Sequence, residues 1–227
     1  AEVIPRDLNH DKMHALKKDP RKPEDDPGNY RPIFLQSILL KIPDRIMDTR
    51  MQKWIANKST EEDPVLALEQ GGFIVKRGTG EQSFALREIA SHCTAKGKRF
   101  YAAFIDCKSA FDRVARLFMR LKLHRKGVSG KMWRIISAMY RNTSASVGEH
   151  LLDVECGVRE GGISSPTCFI VQLDDLVKEL KDANVGVSIA DCLLCVLLYA
   201  DDIVLLAETP QDLQKLLGTF FYLKFLD

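Results

Sequence analysis

No apolar run in this 227-residue sequence is long enough to span a bilayer as a helix; the longest, CLLCVLLYA at 192–200, is far too short. The opening AEVIPRD lacks the basic-then-apolar layout of a secretory signal, and it starts without Met, which reads as an excised or processed piece. Cysteine is sparse: Cys93, Cys107, Cys156, Cys168, Cys192 and Cys195 are spaced too irregularly for a disulfide framework. Cys192 and Cys195 form a C-x-x-C, but no second ligand pair follows, and His92-Cys93 is the other cluster. The thiols therefore read as small buried hydrophobes, with zinc the lesser alternative. There is no internal repeat and no low-complexity tract. These absences exclude a helical membrane protein, a disulfide scaffold and a repeat array. They predict a reduced intracellular setting, nucleus or cytoplasm, with no membrane partner.

What is present is a globular composition, 45% hydrophobic and 28% charged, with charge unevenly placed. Residues 96–141 carry thirteen Lys/Arg against two acids, whereas residues 142–227 carry five against fourteen. A basic block beside an acidic one suggests a polyanion held by the first and cations, metal ions among them, held by the second. The competing reading is solvated helix faces.

Periodicity and punctuation sketch the elements. Residues 1–30, with Pro20, Pro23, Pro27 and Gly28, read as loop. Residues 31–53 turn apolar, with Ile42, Ile46 and Met47 on one helix face and Met51, Trp54 and Ile55 following; STEEDP breaks the helix. A Gly-rich loop, EQGGFIVKRGTG, leads into a second helix. KRFYAAFID reads as a strand ending at Asp106. The segment 113–141 is helical, with Val114, Leu117, Phe118 and Leu121 as its first stripe and Arg113, Arg116 and Arg120 around it. SASVGEHLLDVECGV reads as a hairpin. SSPTCFIVQLDDLVKELKDA reads as a helix capped by Ser165, with Pro166 at its first position.

Three Asp-Asp pairs occur. Asp25-Asp26 lies in a Pro-rich loop, and Asp174-Asp175 on what reads as the wet side of a helix. Only Asp201-Asp202, in LLYADDIVLLA, is flanked on both sides by strand-forming residues. Like charges at a hairpin tip repel, and a divalent cation removes that penalty. Asp106, ending its own apolar strand, is the third candidate carboxylate, and two strands side by side would form an acidic cluster able to hold two metal ions.

FIDCKSAFDRV, then GVREGGISSPTCF, then YADDIVLLA resemble the ordered palm motifs of reverse transcriptases. NYRPIFLQSILLKIPDRIMDTRM and EQGGFIVKRGTGEQSFAL resemble the fingers motifs of the non-LTR (LINE-type) retrotransposon enzymes. The resemblance covers roughly residues 15–207. It implies an α+β right-hand polymerase, with fingers over 1–97 and palm over 98–227, an antiparallel palm sheet backed by helices, and truncation before the thumb. It implies an RNA-directed DNA polymerase using two Mg²⁺ ions, or Mn²⁺, with an RNA template, a DNA or RNA primer and dNTPs. A missing thumb or endonuclease would then lie on an adjoining chain.

Residue by residue, the resemblance implies that Asp106 and Asp201 ligate metal, that Asp202 completes the acidic cluster, and that Cys107 offers its backbone carbonyl. Phe111 would lie under the nucleotide sugar, excluding a 2′-hydroxyl, against the plainer reading of Phe111 as core. Arg31 would contact the triphosphate, joined by Lys18, Lys17 or Arg6. Glu160, Gly161, Gly162 and Pro166 would border the nucleotide. Arg77, Arg113, Arg159 and Tyr199 would touch nucleic acid, with solvated loop or helix charge as the alternative for the arginines. Glu160 stands where the family usually has glutamine, and a carboxylate there accepts hydrogen bonds but donates none. Two rival readings follow: an inactive module that binds RNA or protein through the old fold, and a group II intron- or retron-type enzyme.

Overall fold

The computed structural model describes residues 4–60, 64–190 and 192–224; the Arg6 side chain and Glu61–Asp63 of STEEDP lie outside the described residues. Two compact units emerge, Ala1–Met51 with Phe111–Cys168, and Gln52–Ala110 with Phe169–Asp227. The elements are β1 (His10–Lys17), β2 (Tyr30–Leu35), α1 (Ile38–Lys58), α2 (Thr79–Ala95), β3 (Tyr101–Asp106), α3 (Arg116–Arg125), α4 (Gly130–Met139), β4 (Ser144–Val147), β5 (His150–Asp153), α5 (Ser165–Asp182), β6 (Val187–Ile189), β7 (Cys192–Leu194), β8 (Val196–Tyr199), β9 (Asp202–Ala207) and α6 (Pro210–Lys224). Among the described residues no helix is long and apolar enough to cross a membrane.

The first unit holds a four-stranded sheet in the order β2-β1-β4-β5. β1 runs antiparallel to β2 and parallel to β4, and β4 and β5 form the expected hairpin. The loop expected over 1–30 is corrected here. HDKMHALK shows no apolar alternation, yet it is a strand because neighbours on both sides satisfy its backbone groups. The helix expected from residue 31 begins at Ile38; the preceding YRPIFL is an edge strand, where Pro32 removes no needed donor.

Two helix faces also differ from the expected stripes. In α1, Leu40, Met47, Met51 and Ile55 are buried, whereas Ile42 and Ile46 are exposed. In α3, Met119 and Leu123 are buried while Leu117, Phe118 and Leu121 face outward. Both segments are apolar on more than one face, so periodicity alone does not choose the inward one.

The second unit is built on a three-stranded antiparallel sheet, β3-β9-β8, with a small β6–β7 hairpin beside it. Ile203, Leu205, Ala207, Val196 and Leu198 pack on one face with Val177 and Leu180 of α5 and Leu216 and Phe220 of α6. On the other face Leu197 and Leu206 pack with Ile89 and Cys93 of α2. Cover on both faces is why IVLLA reads as a continuous apolar run rather than alternating. Each fully buried Leu or Ile contributes about 1.5–3 kcal/mol. The strands leave that cover at their Asp106 and Asp202 ends.

The expected cap of α5 shifts by one residue. The Ser164 carbonyl accepts from Cys168 N–H at 2.9 Å, which makes Ser164 the cap and Ser165 the first helical residue. Asp44 accepts from Ile163 N–H at 2.6 Å and Ser164 N–H at 3.3 Å, tying α1 to this turn. Asp174, read as wet, accepts from Ala67 N–H at 2.6 Å.

Candidate active site

The second unit gathers the three aspartates from distant parts of the chain. β3 and β9 pair from Tyr101 opposite Ala207 to Asp106 opposite Asp202, and β8 ends with Tyr199 opposite Asp202. Directly paired residues of antiparallel strands project to the same face, with Cβ atoms about 4.5–5.5 Å apart. Asp106, Asp202 and Tyr199 therefore share a face, and Asp201 sits in the two-residue connection beside them. Asp106 and Asp202 are exposed and Asp201 is half-buried. Among the described residues none of the three side chains has a hydrogen-bond or ion-pair partner, so their oxygens are open to a ligand.

This donor set fits a hard divalent cation, which takes carboxylate oxygens and leaves positions for water and phosphate. The three carboxylates are not drawn into coordinating range: among the described residues no group of three or more His, Cys, Asp or Glu is close enough to hold a metal ion. Cys107 is half-buried, and its carbonyl accepts from Ala110 N–H at 3.1 Å.

A depression of about 350 Å³ lies on this face, bordered by Asp106, Asp202, Tyr199, Leu86, Gln82 and Phe104. Phe104 is 72% exposed, an unusual place for an aromatic in a strand core. It escaped the sequence reading, although the two-residue spacing to Asp106 puts both on one face.

The first unit gathers a second set. The chain at 156–158 lies flush on 111–114: Gly157 N–H donates to Val114 O at 2.8 Å and Val158 N–H to Phe111 O at 2.9 Å. Gly157 has φ +81°, and a Cβ there would lie 2.9 Å from Asp112 O, so only glycine fits. This docking brings Glu160 into the field of Asp112, Arg31 and Lys18. Burial, then the Asp112 charge, push the Glu160 carboxyl above its usual range, and Arg31 and Lys18 oppose the shift. Lys18 thus stands out from the alternatives; Lys17 pairs instead with Glu24 at 3.8 Å. Gly161, with φ +87°, approaches Phe34 O. Phe111 is half-buried.

Several basic residues are engaged inside the fold. Arg159 is the clearest correction: only 4% exposed, it donates Nε–H to Asp11 at 3.0 Å, an NH2 bond to the other Asp11 oxygen, and NH1 to Asn9 at 2.7 Å. Its donors face Asp11, Asn9 and the Met139 carbonyl rather than solvent, against the nucleic-acid contact expected of it. Arg116, expected around an exposed helix, is 7% exposed and donates to Gly157 O at 2.7 Å. Arg77 donates to Leu68 O at 2.7 Å and Gln70 O at 2.9 Å, and pairs with Glu81. Arg113 remains exposed.

The cysteines divide. Cys93, Cys168 and Cys195 are buried as expected, and burial pushes the Cys168 thiol up to about 12 and Cys195 up to about 11. Cys156 and Cys192 are exposed, against the expectation. A C-x-x-C with one member out and one in is no zinc pair.

Comparisons with known proteins give the family and the fold. The family model described as reverse transcriptase (RNA-dependent DNA polymerase) matches residues 16–222. The chain is 31% identical over 199 residues to the retrovirus-related Pol polyprotein of the type-1 retrotransposable element R2 of Nasonia vitripennis, covering 85% of this chain and 18% of that protein. It is 29% identical over 219 residues to the probable RNA-directed DNA polymerase of transposon BS of Drosophila melanogaster, covering 88% and 22%. It thus spans about a fifth of the length of these relatives. Among solved structures, apo telomerase from Candida tropicalis matches with a TM-score of 0.64 at 12% identity, covering 96% of this chain and 47% of that one. Telomerase from Candida albicans, complexed with a fragment of telomeric RNA, matches at 0.62 and 11%, covering 96% and 41%. The fold is that of polymerase fingers and palm, and the chain belongs to the reverse transcriptase (RNA-dependent DNA polymerase) family, among its non-LTR retrotransposon members.

Proposed function

We propose that this chain carries the catalytic part of an RNA-directed DNA polymerase, extending a primer 3′-hydroxyl with dNTPs on an RNA template. The observation that carries the reading is Asp106 in register with Asp202 at the end of a rigid sheet, beside Asp201, with all three oxygen sets open. Asp106 and Asp201 would hold Mg²⁺ or Mn²⁺, with Asp202 and the Cys107 carbonyl completing the donors. When bound, such ions activate the hydroxyl and neutralise the leaving pyrophosphate.

The protein's own contribution is position and charge. The sheet holds the carboxylates against their mutual repulsion. Arg31 and Lys18 would neutralise the triphosphate, and Phe111 would press on the sugar where a 2′-hydroxyl would lie. Arg113, Tyr199 and the basic block over 96–141 would bind nucleic acid, with a binding strength that falls with salt. The relatives named as RNA-directed DNA polymerases and the fold shared with telomerase support this reading.

Primer extension on an RNA template by this chain, with Asp106→Asn and Asp201→Asn controls, tests it. Extension that falls at least roughly 10²-fold in either variant is expected. RNA binding without extension, unchanged in both variants, would instead support the binding module that Glu160 favours: its carboxylate beside Asp112 adds negative charge where phosphates would approach.

A further inference from the structure

The tip that carries Asp201 has an unfavourable backbone. β8 and β9 pair up to Tyr199 and Asp202, leaving Ala200 and Asp201 as the two-residue connection. Ala200 has φ +59°, and Asp201 has no positive φ. Positive φ at the first central residue alone is the pattern of a type II′ turn, a place for glycine. Alanine there is disfavoured, because its Cβ crowds the backbone at positive φ. Something outside the hairpin must hold the turn.

Gln70 does. It is 3% exposed, and its side-chain amide bonds to both the N–H and the carbonyl of Ala200 at the tip. Oε1 accepts from Ala200 N–H at 3.0 Å and from Gly72 N–H at 2.7 Å, and Nε2 donates to Ala200 O at 3.4 Å. The backbone around Gln70 is laid on β8 as well: Leu198 N–H donates to Glu69 O at 2.9 Å, and Gly71 N–H to Leu198 O at 2.8 Å. The fit is close, since a Cβ on Gly72 would stand 2.2 Å from Ala200 N. The amide both accepts and donates here. Glutamate of the same length would lose the donor and bring a further charge to Asp201 and Asp202.

We propose that Gln70 is a positioning residue for catalysis: its amide locks Ala200 in the positive-φ turn and thereby sets where Asp201 and Asp202 point. This rests on the polymerase reading of those carboxylates. Gly72 serves the same end by leaving room for the clamp.

The test is Gln70→Met in the full chain, which keeps side-chain length and removes both polar functions, alone and combined with Ala200→Gly. Glycine takes the positive φ freely, so it relieves the need for the clamp. In Gln70→Met, hydrogen exchange at the Ala200 and Gly72 amides should quicken about tenfold, with Leu205 in mid-strand unchanged. In primer extension kcat should fall about tenfold with the dNTP KM within about twofold, and Ala200→Gly should restore most of the loss relative to its own single variant. Mn²⁺ affinity, read by the EPR signal of the ion, should weaken in parallel and recover in the double variant.

A merely structural role would lower the melting temperature without rescue by glycine, and that outcome overturns the proposal. So does unchanged exchange at Ala200. If the unaltered chain extends no primer, the polymerase reading fails by itself, and the exchange and Mn²⁺ measurements still decide whether Gln70 sets the tip.

Discussion

Arg159 and Asp11 give the sharpest quantitative test of how the first unit is held. Their side chains are 3% and 6% exposed and meet through two parallel bonds, with Asn9 and the Met139 carbonyl accepting from NH1. Asp11→Ala strips two charge-assisted bonds, each worth roughly 1.5–3 kcal/mol. It also leaves a buried cation without its counter-charge, and breaking such a pair costs about 3–5 kcal/mol. The two routes agree on about 3–5 kcal/mol, which for a chain of this size lowers the melting temperature by about 6–20 °C. Adding Arg159→Met removes the stranded charge and fills its volume, so the double variant should recover at least about half of that loss. Urea and thermal denaturation followed by far-UV circular dichroism measure both quantities. A loss under about 1 kcal/mol for Asp11→Ala, or strictly additive losses, would refute the reasoning. Weakened RNA affinity in Arg159→Met at unchanged stability would return Arg159 to the surface role that its sequence context suggested.

Three further outcomes are expected. Glu160→Gln should lower the dNTP KM severalfold at neutral pH, because it removes a negative charge facing Arg31 and Lys18; steady-state extension kinetics against dNTP concentration check it. The same substitution has a signed effect on stability. Glu160 is raised above its unfolded value, so the native carboxyl is unpenalised at low pH and becomes destabilising as pH rises through its raised pKa. The variant should therefore match the unaltered chain in acid and exceed it above the carboxylate range, as read by urea midpoints across pH. Phe111→Ala should raise incorporation of ribonucleotides relative to deoxyribonucleotides by at least about tenfold, with competition extension as the assay. Asp202→Asn should weaken Mn²⁺ binding severalfold while the melting temperature holds or rises, since it removes one of three like charges at the same end of the sheet.

The sequence by itself determined the family and the addresses of the candidate carboxylates: Asp106 and Asp201-Asp202, each where an apolar strand stops, were legible because strand residues flank them and no other Asp-Asp pair has that setting. The hairpin over 144–153 and the helix from 165 were legible from turn and cap chemistry, which is local. Local patterns could not show β1, whose mixed polar residues form a strand only because β2 and β4 supply its hydrogen bonds. They could not choose the inward face of α1 or α3, which are apolar on several sides. They misplaced Arg159, since burial of a charge depends on a counter-charge 148 residues away. And they gave Gln70 no role, because an amide in a Gly-rich loop looks like solvated polarity until tertiary packing lays it against Ala200. Motifs encode which groups are present; the long-range backbone pairing decides which of them meet.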